Sequence, residues 1–117
     1  MSEEERRTLG ASEFGHGVLK RLEADGIFPE MMDAYRFAIA LGLSKGRRTP
    51  FTGRRTVFNV GSFDKDEAVS GVISALMEVE AAQVYRVAEE LAETGFQMIA
   101  PVVDAGEFRF DDFLTSV

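Results

Sequence analysis

From residue 12 onward, apolar positions recur at helical spacing along most of the chain. Phe14, Val18, Leu19 and Leu22 predict a first helix, with Ser12 as its N-cap and Gly26 as the left-handed residue that ends it. Two glycines flank His16 and weaken the start of that helix. Pro29 suits the opening of a second helix running to about Lys45, with Glu30 and Asp33 complementing the positive end of its dipole. Its body, residues 31–43, is apolar nearly all round, the mark of a helix enclosed by neighbours. Small Ala38, Ala40 and Gly42 would let those neighbours come close. Residues 1–11 (MSEEERRTLGA) are polar and unpatterned and are expected to be a disordered tail, leaving 12–117 as one helical domain.

Thr56 to Val60, rich in β-branched and aromatic residues, is the one candidate strand, and a lone strand needs a partner from this chain or from a second copy. Asp64 followed by Glu67 reads as a capping-box-like start to a third helix, with the stripe Val69, Val72, Ile73, Leu76 and Met77. A fourth begins near Ala81, with Val84, Val87, Ala88 and Leu91 inward, Glu89, Glu90 and Glu93 outward, and Gly95 just past its end. Residues 96–103 fit either a short helix broken at Pro101 or an extended segment. Phe108, Phe110 and Phe113 would fold the tail back onto the helices. The expected fold class is therefore mainly α: a compact helical domain of four to five helices with one short β element.

Composition narrows the setting. Hydrophobic residues at 45% and charged residues at 28% are the balance of a globular chain, and ten Phe beside two Tyr and no Trp predict a phenylalanine-rich core. The absence of Cys removes disulfides, thiolate metal sites and cysteine nucleophiles, and fits a reducing, cytoplasmic home. No apolar run approaches a membrane span.

The chemistry-bearing residues are few. His16 is the sole histidine, and its ordinary reading is a surface or capping residue. Asp64 to Glu67 and Asp111–Asp112 lack the alternation and central glycine of a calcium loop, and the first of these fits the start of a helix. No phosphate-binding loop, dinucleotide fingerprint or nucleophile elbow is present, so neither a catalytic residue, a metal nor a cofactor is expected.

Charge supplies the strongest asymmetry. The net charge of −7 repels phosphate at long range. Yet no acidic residue lies between Asp33 and Asp64, and Lys45, Arg47, Arg48, Arg54 and Arg55 crowd into KGRRTPFTGRR. Cations on a glycine-rich loop, with threonine hydroxyls as further donors, suit phosphate oxygens. The alternatives are a protein partner with an acidic surface, a helix C-terminus offset by Lys45 and Arg47, or plain solvation.

The stretch from Tyr35 through Pro50 (YRFAIALGLSKGRRTP) resembles the "apolar helix, then GRR-x-P" segment of small accessory proteins from bacterial DNA phosphorothioation (Dnd) gene clusters. Val84-Tyr85-Arg86 through Glu93 to Ile99 resembles the closing helix of that family, and the overall layout is similar to DndE-like proteins. The likeness spans residues 28–100 or so. It implies an accessory protein of a DNA modification or restriction locus, active in antiviral defence, that acts on DNA or on protein components of the same system, with homo-oligomerisation as a further implication. Lys45, Arg47 and Arg48 fall within the matching motif; Arg54 and Arg55 rest on charge alone. The favoured expectation is a non-enzymatic protein that contacts nucleic-acid backbone through the 45–55 loop, and the alternative is a protein-protein adaptor that binds no nucleic acid. No acid–base pair in the sequence favours a small-molecule enzyme.

Overall fold

In a computed structural model the described residues are 8–106, 108–110 and 113, and every structural statement below concerns these. They form β1 (Thr8–Ala11), α1 (Glu13–Ala24), α2 (Met31–Lys45), β2 (Arg55–Asn59), α3 (Val60–Phe63), α4 (Ala68–Met77), a 3-10 turn (Ala81–Gln83) and α5 (Val84–Asp104). The mainly α expectation, with one small β element, holds.

Local chemistry sets the helix limits. The Ser12 hydroxyl accepts from the Gly15 N–H at 2.9 Å, satisfying one of the free donors at the start of α1. Gly26, at φ 67°, lets the chain leave that helix. Gly46, at φ 61°, ends α2 in the same way, and Arg47 N–H closes back on the Gly42 carbonyl. At α4 the expected capping box does not form, because the helix begins only after Glu67; Asp64 instead reaches the free donors from upstream, its carboxylate accepting from the Val69 and Ser70 N–H groups at 2.9 and 3.0 Å. Glu67 adopts a left-handed conformation, φ 60°, and makes no side-chain cap.

Two expectations for the chain ends of elements are corrected. Thr8–Ala11, placed in the tail, are β1, which pairs antiparallel with β2 through Leu9–Phe58 and Ala11–Arg55, with an irregularity between Leu9 and Gly10. Leu9 and Ala11 are buried, and this apolar content outweighs the polar run before them. The strand's partner is thus within the chain, and pairing with a second copy is not required. Residues 1–7 lie outside the described residues. Gly95 does not end a helix either: α5 continues unbroken through it, with Pro101 inside its last turn, so residues 96–103 are helical.

α5 is the axis of the fold and α2 its main neighbour. The two helices meet backbone to backbone at a pair of glycines. A Cβ on Gly42 would overlap the Leu91 carbonyl, and one on Gly95 would overlap the Ala38 carbonyl. Ala38 and Gly42 therefore serve the close approach expected of them, whereas Ala40 is exposed. Around this crossing Tyr35, Phe96, Leu91, Ile99, Leu19 and Leu22 are fully buried. Tyr35 packs edge-on to Phe58, Phe63 and Phe96 at 5.3–5.8 Å, and its hydroxyl donates to the Gly10 carbonyl at 2.6 Å. The tail aromatics do return: Phe108, Phe110 and Phe113 pack on Phe37. Phe14, expected inward, is 47% exposed on α1.

The stripe expected to bury α4 is largely open. Only Ile73 is buried, while Val72 is 48% and Leu76 65% exposed. α4 leans on α5 alone among its larger contacts, and one supporting helix cannot cover an element that is apolar all round.

Candidate functional site

The arginine loop leaves α2 at Gly46 and is sewn onto α5 as it goes. Thr49 N–H donates to the Glu90 carbonyl at 3.0 Å, the Thr49 and Thr94 hydroxyls lie 2.7 Å apart, and the Thr94 hydroxyl donates to the Arg47 carbonyl at 3.0 Å. These bonds bring the guanidinium groups onto a row of carboxylates. Arg48 donates from Nε to Glu90 Oε1 at 2.8 Å, with Nη2 at 2.7 Å from the same oxygen. Arg54 Nε meets Glu89 Oε2 at 2.6 Å, and its Nη2 reaches both the carbonyl and hydroxyl of Thr8 at 2.9 Å.

Glu89, Glu90 and Glu93 were expected to face solvent, and all three are buried, at 4–5% exposure. The correction has a clear cause. α5 is surrounded by α1, α2, α4 and β1, so even its polar side has neighbours, and each carboxylate is met by donors. Glu89 also accepts from the Gly10 N–H at 2.8 Å, which ties β1 to α5. Glu90 has a second cation, Arg86, at 3.6 Å. Glu93 accepts from the Ser12 hydroxyl at 2.7 Å, and burial pushes its carboxyl above the usual range against that bond. Among the described residues, no buried side-chain nitrogen or oxygen lacks a partner.

The five predicted cations therefore do not share one role. Arg48 and Arg54 are bound to buried carboxylates, and Arg55 pairs with exposed Glu13 at 3.0 Å. Lys45 is exposed in the last turn of α2. Arg47 is exposed and forms no ion pair with a described residue. Arg48, Arg54 and Arg55 are thus engaged by carboxylates of the chain itself, and the loop acts as a clasp on the fold.

Signals that would have revealed the clasp are faint in sequence. Glu89-Glu90 and Glu93 sit among Val87, Ala88, Leu91 and Ala92, so charge falls between apolar residues, while the arginine partners of Glu90 and Glu89 lie 42 and 35 positions away.

Elsewhere, His16 is half-buried on α1. Asp64 is spent on the α4 cap and on the Tyr85 hydroxyl, 2.7 Å away. Burial raises the Asp64 carboxyl, but the bonds from Tyr85, Val69 and Ser70 outweigh it and leave it below the usual value. Among the described residues, no group of three His, Cys, Asp or Glu is placed to hold a metal ion, and no helix is long and apolar enough to cross a membrane. Asp111 and Asp112 lie outside the described residues.

The feature that sequence reasoning assigned to the core, and the structure leaves open, is the outer side of α4. Its ten residues, AVSGVISALM, carry no charge. Val72 and Leu76 stand out from it one turn apart. Beside it runs an apolar groove of about 230 Å³ between α2 and α4, lined by Ile39, Ala40 and Leu43 on one wall and Ala68, Val69 and Val72 on the other, with Arg36. A second groove, about 360 Å³, lies between α1 and the end of α5 beside exposed Phe14, rimmed by Glu13, Arg21 and Asp104.

Comparison with known proteins places the chain in no family: no family model, no curated protein and no solved structure matches it.

Proposed function

We propose that this chain is a non-enzymatic accessory protein that works by docking another protein through α4 and the groove beside it. One observation carries the reading: a charge-free helix with Val72 and Leu76 exposed, set against a groove walled by apolar side chains. Exposed apolar surface of this kind costs solubility unless something covers it, and rimmed patches of this sort mark interaction sites. The resemblance to Dnd-associated proteins supplies a setting in which the partner is a protein component of the same DNA modification and defence system.

The test is co-purification from cells that carry the chain, after nuclease treatment, using the native protein and a Val72→Ser/Leu76→Ser variant. The native chain retains a stoichiometric partner and the folded variant loses it. Recovery of the same proteins by both would contradict the proposal.

A second reading keeps nucleic-acid contact, because Arg47 is exposed and without an ion pair to a described residue. Here Lys45 and Arg47 would meet DNA backbone, with the outward edges of half-exposed Arg48 and Arg55 adding to them. Its test is duplex and single-stranded DNA binding at low salt by the native chain and by Arg47→Glu, with salt-dependent binding by the native chain alone as the supporting result.

A further inference from the structure

α4 presents an uncharged face between two acidic ends. Before it stand Lys65, Asp66 and Glu67, and after it Glu78 and Glu80, all exposed. Four carboxylates against one ammonium make both ends negative on balance. The one charged residue lining the groove, Arg36, does not offset this. Its Nη2 donates to the Phe63 carbonyl at 2.8 Å, its Nη1 lies 3.5 Å from Asp33, and the guanidinium sits 4.9 Å from the Phe63 ring centroid.

The face is also shaped for a helix. Val72 and Leu76 project one turn apart, and Gly71 and Ala75 beside them are small and exposed. A Cβ placed on Gly71 would meet nothing within 4 Å, so that side of α4 is open to an approaching backbone. Ten helical residues span about 15 Å, the length of roughly three turns of a facing helix.

We propose that this face receives an amphipathic helix of another protein, whose apolar side chains enter the space between α2 and α4 and whose flanking Lys or Arg side chains meet Asp66, Glu67, Glu78 and Glu80. The inference rests on the docking reading above and adds the chemistry of the partner. A second copy suits the face less well: each chain carries −7, and joining two such faces sets acidic ends against acidic ends. An anionic membrane surface is repelled for the same reason.

Two synthetic amphipathic helices of about 18 residues, about five turns, serve as probes. They share one leucine stripe and carry either Lys or Glu on the other positions. Fluorescence anisotropy is read with the native chain, with Val72→Ser/Leu76→Ser and with Glu78→Lys/Glu80→Lys, and light scattering after gel filtration gives the mass of each. The Leu/Lys helix binds the native chain one to one and weakens with salt. Binding falls by about tenfold or more on Val72→Ser/Leu76→Ser and severalfold on Glu78→Lys/Glu80→Lys, while the Leu/Glu helix binds about tenfold more weakly or not at all. No binding of the Leu/Lys helix, equal binding of both helices, or binding untouched by the Val72/Leu76 pair overturns the inference. A native dimer that Val72→Ser/Leu76→Ser dissociates overturns it too, yet leaves the docking face standing with a second copy as its occupant. If that variant changes neither mass, peptide binding nor co-purification, the docking reading itself fails.

Discussion

Gly95 of α5 lies directly against the backbone carbonyl of Ala38 in α2, and Gly42 of α2 lies against the carbonyl of Leu91 in return. The two central helices therefore touch at their main chains. Nothing at this crossing can move aside as a flexible side chain would, so any added carbon must push the helices apart.

Gly95→Ala is accordingly expected to destabilise the protein by about 1–3 kcal/mol or more, although alanine is the better helix former in isolation. Gly17→Ala, at an exposed helical glycine whose added Cβ meets nothing, is the control and is expected to be neutral or stabilising. Urea denaturation of the two variants checks this, and equal stabilities would contradict the reciprocal glycine contact.

Glu93 carries a sign that can be tested by pH. Burial lifts its folded-state carboxyl above the ordinary 4.5, so its favourable contribution is complete only below that value and is lost as pH rises through the raised one. Ionising this buried carboxyl carries a cost. Glu93→Gln keeps an acceptor for the Ser12 hydroxyl and is expected to raise the midpoint of thermal unfolding at neutral pH. The gain shrinks on acidification toward the ordinary carboxylate value. A variant less stable than the native chain at neutral pH would show that the ionised form is the favoured one.

Much of this architecture was readable before the structure. Ser12, Gly26 and Gly46 declare the ends of α1 and α2 because caps and left-handed turns depend on a few local residues. The aromatic tail was legible as well, since three phenylalanines in six residues need cover. What stayed hidden depended on distant partners. Glu89, Glu90 and Glu93 look like a solvent face until Arg54, Arg48 and Ser12 are brought to them. Gly95 looks like a helix end because a close backbone crossing leaves the same letter in the sequence. α4 shows the converse: its stripe reads as core, and only the layout reveals that a single helix lies behind it. The loop arginines were legible as a charge cluster, but not in which direction their charge is spent.

Tyr85 and Asp64 offer a spectroscopic check on the turn before α4. Burial first, and then the bond to Asp64, push the Tyr85 hydroxyl up to about 12. Its contribution to stability is present below the ordinary value of 10 and is lost as pH rises toward 12. Ultraviolet titration of the native chain is expected to show this tyrosine ionising only near pH 12. Asp64→Asn moves it back only part of the way, because burial persists. The same variant destabilises α4 by about 1 kcal/mol, because the amide keeps one acceptor oxygen where the carboxylate uses two. Ionisation of Tyr85 at an ordinary pH would mean that the hydroxyl does not rest on Asp64.

The central claim is that the loop spends Arg48 and Arg54 on buried carboxylates of the fold, which leaves α4 as the face for partners. Urea denaturation of Arg48→Ala, Arg54→Ala and Arg47→Ala tests it most directly. Removing Arg48 or Arg54 takes the short arginine contact from a buried carboxylate, leaving Glu90 to Arg86 and Glu89 to the Gly10 N–H, at a cost of about 1–3 kcal/mol once the partial exposure of the guanidinium groups is allowed for. Arg47→Ala stays within about 0.5 kcal/mol of the native chain. Should all three variants prove as stable as the native protein, the arginines are free to serve a ligand and the clasp is contradicted.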